Sequence, residues 1–392
     1  MYFVHDAQIA SETMEPFFTN SQKMVWESIR RFSEDTVLPL ARDIDANDEF
    51  PSALYQELAT MGVFGTEISE TLGGSGFDTK TTCIIMEELA RCSGSIGNIF
   101  AIPVESIRFI QEHGNEKQQE LIPSIIAGKR IPASCASEPE AGSDFSAIRT
   151  SAVRDGSDYV INGTKAWVSL GLVADLIFVF AKTDPAAGHR GISCFMVDGD
   201  NPGLYRGSKE ELLGMRGLAT GQLLFENCRV PETSRIGAEN SGFKMAMKNF
   251  NYSRILMATM ALGITIAGYE DALSYSRERV QFGQKIFDFQ SIQFMLADMS
   301  TDIAAARLMI DHTIRLLEGG YPIIQQAAQT KLFTTDMAMK HVTNAVQIHG
   351  GNGYSKSYRA ERLFRDIKLA QIYEGTNQIQ RLIIAKQLEI NH

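Results

Sequence analysis

The apolar residues of this chain change period twice, and that double switch limits the folds open to it. From about Thr19 to Ala127 they recur at helical spacing: Val25, Trp26, Ile29 and Phe32 form one stripe, and VLPLARDIDAN and ALYQELATMGVFG continue the pattern. TKTTCIIMEELARCSGSIGNIFAI, after the glycine-rich loop TLGGSGFDTK, has room for one or two further helices. From about Ile131 to Ile236 the runs shorten and become β-branched and aromatic, as in DLIFVFAKT, GISCFMVDG and GQLLFENCRVP. Asp155-Gly156 and Asn162-Gly163 read there as hairpin turns. From Gly242 helical spacing returns: one long helix or two to Val280, another over Phe289 to Gly320, a third over Ile323 to Gly350, and a fourth after YEGTN. The pattern predicts an α+β fold with an N-terminal α-helical domain over 1–130, a middle antiparallel β-domain of six to eight strands over 131–241, and a C-terminal four-helix bundle over 242–392.

Charge and composition narrow the function. A formal net charge of −10 argues against nucleic acid and anionic membrane surfaces, which need a basic face. Cys83, Cys92, Cys135, Cys194 and Cys228 are scattered, odd in number and form no C-x-x-C, which suits buried thiols in a reducing compartment. The seven histidines make no H-E-x-x-H and no tight cluster with acids, so no metal site is expected. The N-terminal MYFVHDAQIASETMEPFF carries acids and no long apolar core, unlike a signal peptide. The most apolar run, Ile255 to Gly268, is too short to span a bilayer. A soluble, cytoplasmic protein is the expectation. No G-x-G-x-x-G follows a strand, and neither G-x-x-x-x-G-K-[ST] nor G-x-S-x-G occurs, which disfavours Rossmann, P-loop and serine-hydrolase readings.

Five segments remain, each with an ordinary structural explanation when taken alone. HGGNGY (His349 to Tyr354) reads as a helix C-cap and turn. SEPEAGSDFSAIRTSA (Ser137 to Ala152) reads as a surface loop, or as small residues wrapping a polar ligand. Trp167 in GTKAWVSLG belongs either in a core or against an aromatic cofactor. Arg279 in RERVQFGQK suits a helix C-terminus. Glu374, before Gly375 and a cap at Thr376 or Asn377, is a comfortable charge ahead of a helix or a catalytic base.

In this order and at these separations, CASEPEAGSD, NGTKAWVS, FNYSR, RVQFGQ, QIHGGNGY and IYEGTNQIQRLIIA resemble the acyl-CoA dehydrogenase family of flavoproteins, from about Gln22 to Leu388. The resemblance implies FAD in a cleft between the β-domain and the C-terminal helices. It assigns Cys135, Ser137, Gly142, Ser143, Trp167 and Ser169 to the flavin, with Ser137 and Ser169 standing where the family usually has threonine. It assigns Arg279, Phe282, Gln290, Gln347, Gly350 and Gly351 to the FAD of a neighbouring subunit, and so implies a homo-oligomer, usually a tetramer or dimer. Thr376 and Gln378 match positions at the adenosine or pyrophosphate. On the substrate side it assigns Ser143, Asn251, Arg254, Tyr373 and Gly375, with Asn251 where many relatives have aspartate.

The implied reaction is α,β-dehydrogenation of an acyl-CoA, Glu374 taking the α-proton and FAD the β-hydride, with electrons passed to an electron-transfer flavoprotein. The backbone N–H of Glu374 and a flavin hydroxyl would hold the carbonyl. Some relatives carry the base just before the arginine matching Arg254; here that residue is Ser253, which cannot serve unaided. GSIGNIFAIPVESI (Gly94 to Ile107) and Tyr373 are expected at the acyl pocket, with Phe100 and Pro103 as limits on chain length. Three alternatives stand beside this reading: a dehydrogenase of carrier-protein acyl groups, a flavin oxidase or monooxygenase, and a non-catalytic helical interaction protein.

Overall fold

The computed structural model describes residues 18–390, so the reading of Met1 to Phe17 lies outside the described residues. Helix α1 (Asn20–Phe32) starts at a capping box in which Thr19 and Gln22 exchange side-chain-to-backbone hydrogen bonds of 3.2 and 3.0 Å. A π-turn joins it to α2 (Leu38–Asn47), and α3 (Ser52–Thr60) follows. The segment from Thr79 resolves into two helices, α4 (Thr79–Cys92) and α5 (Gly94–His113). Ser93 separates them, with extended backbone (φ −155°) and its hydroxyl capping Ile96 N. Short helices α6 (Glu116–Gln119) and α7 (Ile122–Ile126) close the helical part.

Eight strands follow: β1 (Pro132–Cys135), β2 (Ser151–Asp155), β3 (Asp158–Val168), β4 (Leu176–Lys182), β5 (Ile192–Asp198), β6 (Leu204–Lys209), β7 (Gly221–Pro231) and β8 (Arg235–Ile236). They form one sheet in the order β6-β7-β3-β2-β4-β5-β8, with β1 paired to β4. Most neighbours are antiparallel, as expected; β1 is instead parallel to β4, and β2 meets β4 through a single parallel pair, Ser151 opposite Lys182. Asp155-Gly156 lies at the turn of the β2–β3 hairpin. Asn162-Gly163 does not turn the chain: it is an irregularity within β3, where pairing to β7 slips between Ile161 and Gly163. Two tertiary contacts hold it there. The Asn162 side chain accepts from Asn227 N at 2.7 Å, and a Cβ on Gly163 would lie 2.4 Å from the Thr150 hydroxyl.

The expected ligand-wrapping loop after β1 is pinned by a buried ion pair. Glu138 accepts from Arg149 N (2.6 Å), Thr150 N (2.9 Å) and the Lys165 ammonium (2.8 Å), and Lys165 has no exposed surface. Both charges of this pair are therefore partnered.

The C-terminal part begins with α8 (Gly242–Glu278), one helix of 37 residues. It extends far beyond the apolar run expected to be too short for a bilayer, and is long and apolar enough to cross one. Its most apolar window is nonetheless 83% buried inside the protein, where α4, α5 and the later helices pack around it. A two-stranded ribbon, β9 (Val280–Gln281) and β10 (Gln284–Lys285), leads to α9 (Gln290–Glu318), α10 (Ile324–His349), α11 (Ala360–Ala370) and α12 (Asn377–Ile390). Helix α11 joins the four that were expected. Its apolar face holds Leu363 and Ile367 buried beside the charged Arg362 and Asp366, which masks it in the sequence.

Removing the Lys165 ammonium leaves Glu138 as an uncompensated buried charge. Lys165→Met is expected to lower stability by about 3–5 kcal/mol. Adding Glu138→Gln to it recovers part of the loss, as read by chemical denaturation of the two variants.

Candidate active site

The turn between α11 and α12 carries the site. Glu374 (φ 54°) and Gly375 (φ 85°) both adopt left-handed backbone conformations. Thr376 then caps α12, its hydroxyl accepting from Ile379 N at 3.2 Å and its carbonyl from Gln380 N at 2.9 Å. The cap is thus occupied by threonine, and the Glu374 carboxylate is not the helix's own. Helix α10 fixes the turn from below. The Lys331 ammonium donates to Gly375 O and to Asn377 Oδ1, both at 2.9 Å, and Asn377 donates to Asp336 at 2.6 Å. The Gln380 side chain donates to Glu374 O (3.2 Å) and Gly375 O (2.8 Å).

The carboxyl group itself points inward. Its Oε2 is buried without a hydrogen-bond partner among the described residues. Burial raises the Glu374 pKa, while Arg254 and Lys331 pull it back down; burial prevails. Lys331, with no exposed surface, is pushed down to about 7 by burial, against the pull of Glu374. Arg254 is 4% exposed and donates to Asn251 Oδ1 at 2.7 Å, so these two expected substrate contacts lie together under the carboxylate. The Tyr373 hydroxyl reaches Met260 Sδ of α8 at 3.4 Å.

The structure adds Glu105, absent from the sequence-based set. It sits on α5 within the expected acyl segment, in electrostatic reach of both Glu374 and Tyr373. Burial and the neighbouring carboxylate push its pKa well above the usual range. Phe100, on the same helix, packs fully buried against Phe64 with ring centroids 6.5 Å apart, and Pro103 is buried too.

On the sheet side, Trp167 is 60% exposed, which excludes a core role. A break in the β3–β7 register between Lys165 and Val168 gives it a φ of 60° and leaves its ring outside the core. Ser137 is joined to this segment by its carbonyl, which accepts from Ala166 N at 3.0 Å, and Ser137 and Ser169 keep part of their surface accessible. Cys135 is buried, and burial pushes its thiol up to about 12, so it is no nucleophile. Gly142 and Ser143 are exposed in the following loop, and a Cβ on Gly142 would meet nothing within 4 Å.

Arg279, Phe282, Gln290, Gln347, Gly350 and Gly351 gather elsewhere, at the end of the helices where α8 and α10 finish and α9 begins. A second small core of Ala272, Leu273, Leu296, Met299, Ala345 and Ile348 ties these ends together. All six residues are exposed, Phe282 at 95%. Gln378 is exposed on the first turn of α12. Among the described residues nine non-glycine positions have positive φ, and three of them are site candidates: Trp167, Phe282 and Glu374. Such conformations carry a cost and concentrate where function holds them. No cluster of metal-ligating side chains occurs among the described residues, and all five cysteines are free and buried.

Comparison with known proteins finds relatives along most of the chain. Family models described as acyl-CoA dehydrogenase N-terminal, middle and C-terminal domains match residues 19–129, 133–228 and 240–389. An acyl-CoA dehydrogenase of Bacillus subtilis is 40% identical over 372 residues, covering 94% of this chain and 98% of its own. The structure of butyryl-CoA dehydrogenase from Megasphaera elsdenii superposes with a TM-score of 0.93 at 35% identity, covering 95% of this chain and 99% of that one. PigA with FAD and proline superposes at 0.92 with 25% identity, covering 96% and 99%.

Lys331 is the residue whose removal separates support from field. Lys331→Met removes one of two donors to each of Gly375 O and Asn377 Oδ1, Gln380 and Thr335 supplying the others, a loss of about 1–3 kcal/mol. It also removes a cation that lowers the Glu374 pKa. Faster amide exchange confined to 372–380, with the Glu374 carboxyl titrating at higher pH by infrared difference against Glu374→Gln, is the expected result.

Proposed function

The chain belongs to the acyl-CoA dehydrogenase family of FAD-dependent oxidoreductases, and from that premise we propose that Glu374 is the base that takes the α-proton of an acyl-CoA thioester. The observation that carries the reading is the Glu374 carboxyl: its Oε2 is buried and unpartnered among the described residues, and desolvation shifts its pKa upward. A base working near neutral pH needs that shift. The proton moves from the α-carbon to Glu374, the β-hydrogen leaves with its electron pair, and the trans-2-enoyl thioester remains.

The residues on the sheet side fit FAD. A partly accessible aromatic ring at Trp167 and two accessible hydroxyls at Ser137 and Ser169 suit a planar heteroaromatic ring with polar edges. When bound, FAD supplies the acceptor for the β-hydride at its N5, a chemistry that no side chain offers. Cys135, Gly142 and Ser143 complete this side; Thr376 and Gln378, at the N-terminus of α12, favour an anionic part of the cofactor. Arg279 carries an exposed guanidinium suited to a pyrophosphate. With Phe282, Gln290, Gln347, Gly350 and Gly351 it forms the surface that we assign to the FAD of a neighbouring subunit in a homotetramer.

The chain's own groups do the remaining work. The backbone N–H of Glu374 is offered to the thioester carbonyl, and Ser143, Asn251, Arg254, Tyr373 and Gly375 hold the substrate. Arg254 and Lys331 keep the carboxylate ionised often enough to act. An electron-transfer flavoprotein is the proposed acceptor, and residues 1–130, 131–241 and 242–392 the proposed domains.

Glu374→Gln is expected to retain FAD and its colour while anaerobic reduction by substrate falls about 10²–10⁴-fold. Near-normal flavin bleaching in that variant would sink the assignment. The wild-type rate depends on the ionised carboxylate. It is therefore full above the raised Glu374 pKa and lost as pH falls through it, giving an acid limb above the usual carboxylate range in a stopped-flow pH series.

A further inference from the structure

Glu105 is an acid inside the fold that keeps part of its surface accessible, and the protein provides no cation for it. No ion pair to it exists among the described residues, and the two cations that act on Glu374, Arg254 and Lys331, do not act on Glu105. Arg108, three residues along the same helix, is the obvious partner by spacing. Its guanidinium is drawn away, pairing with Glu67 at 3.1 Å and lying 4.3 Å over the Tyr252 ring. Across the site on α8, the fully buried Ser253 hydroxyl lies against the Glu105 carboxyl and has no other partner among the described residues. Two polar side chains from facing helices thus meet beside Glu374 and Tyr373, and no cation joins them.

A carboxyl without a cation in that position opposes catalysis if nothing joins it. Ionised, it repels the Glu374 carboxylate; neutral, it presents a polar group to the acyl chain. A hydrocarbon acyl group would strip its remaining hydration and return nothing. An anionic one would add a third negative charge to two acids. A positive charge brought by the substrate resolves both problems, because it pairs with Glu105 and leaves the field at Glu374 nearly unchanged.

We propose that Glu105 determines specificity by pairing with a cationic nitrogen on the acyl group, a few bonds from the reacting carbons. The substrate class is then a short acyl thioester bearing an ammonium or guanidinium. This rests on the dehydrogenase reading above and deepens it.

The test compares two thioesters of the same shape on the FAD-loaded enzyme: 4-(trimethylammonio)butanoyl-CoA and its neutral isostere 5,5-dimethylhexanoyl-CoA, with butanoyl-CoA as a reference. Anaerobic flavin bleaching gives a rate and an apparent affinity for each. Wild type is expected to favour the cationic thioester over the isostere by about tenfold or more. Glu105→Leu is expected to reverse the preference and Glu105→Gln to abolish it, flavin content and melting temperature confirming that each variant is folded. A wild-type preference for the isostere, or an unchanged ratio in both variants, overturns this inference. Bleaching by butanoyl-CoA in that case leaves the dehydrogenase reading standing. Failure of every thioester to bleach the flavin overturns that reading, and this one with it.

Discussion

One buried ammonium holds the cleft together. Lys331 has no exposed surface, yet it reaches the backbone of the left-handed turn through Gly375 O and its far end through Asn377. The same charge acts on Glu374 through space. A buried charge survives only when hydrogen bonds and an opposite charge replace the water it has lost. Here the carbonyl, the amide oxygen and the carboxylate supply that replacement. Shape and electrostatics at the site therefore share a cause: the turn stands where it does because it solvates Lys331, and the carboxylate titrates where it does partly because Lys331 is there.

The rest of the fold serves to keep this arrangement dry. Helix α8 is apolar enough for a membrane and lies instead at the centre of one continuous core that runs from α1 to α11 and through the sheet. It also carries Asn251, Ser253 and Arg254 on its first turns, so the element that organises packing also supplies one wall of the site. The sheet has a parallel role. The pair of Glu138 and Lys165 fixes the loop after β1, and two residues beyond Lys165 the strand breaks register and leaves Trp167 exposed. In both places a buried charge lies directly beneath a residue held in an unusual backbone conformation.

What the sequence reveals depends on how local the cause is. The change of period from helix to strand and back is local, and it is legible from the residues alone. Glu374, Trp167 and Arg279 stand out as candidates through the motifs around them, each of which has an ordinary explanation in isolation. Asn162-Gly163 misled because its conformation is set from outside the segment, by Asn227 and by the close approach of Thr150. Lys331 left no signal: a lysine on a long helix is normally solvated, and only the arrival of Gly375 and Asn377 from more than forty positions away shows otherwise. Glu105 was hidden in a different way. Arg108 at i+3 offers a sufficient local partner, and only the fold shows that Glu67 and Tyr252 have claimed it.

A base placed just before a helix, the role proposed for Glu374, faces contradictory demands, since the helix N-terminus favours the carboxylate and lowers its pKa, whereas proton abstraction near neutrality needs it raised. The turn separates the two. Thr376 takes the capping position, and positive φ at Glu374 and Gly375 carries the carboxyl away from the helix and into the interior. Burial can then raise its pKa, with two cations limiting the rise. The limit matters as much as the rise. Desolvation alone would carry the pKa further up and leave less carboxylate, while full pairing would leave a carboxylate too weak to take a carbon-bound proton. Arg254 stays charged at any working pH, but Lys331 at about 7 does not. Ionised Glu374 holds the proton on Lys331; once Glu374 has taken a proton, that hold is gone and Lys331 more readily gives its own up. The two groups thus exchange charge in opposite senses, and the net charge beneath the substrate changes less than the titration of either group alone would require.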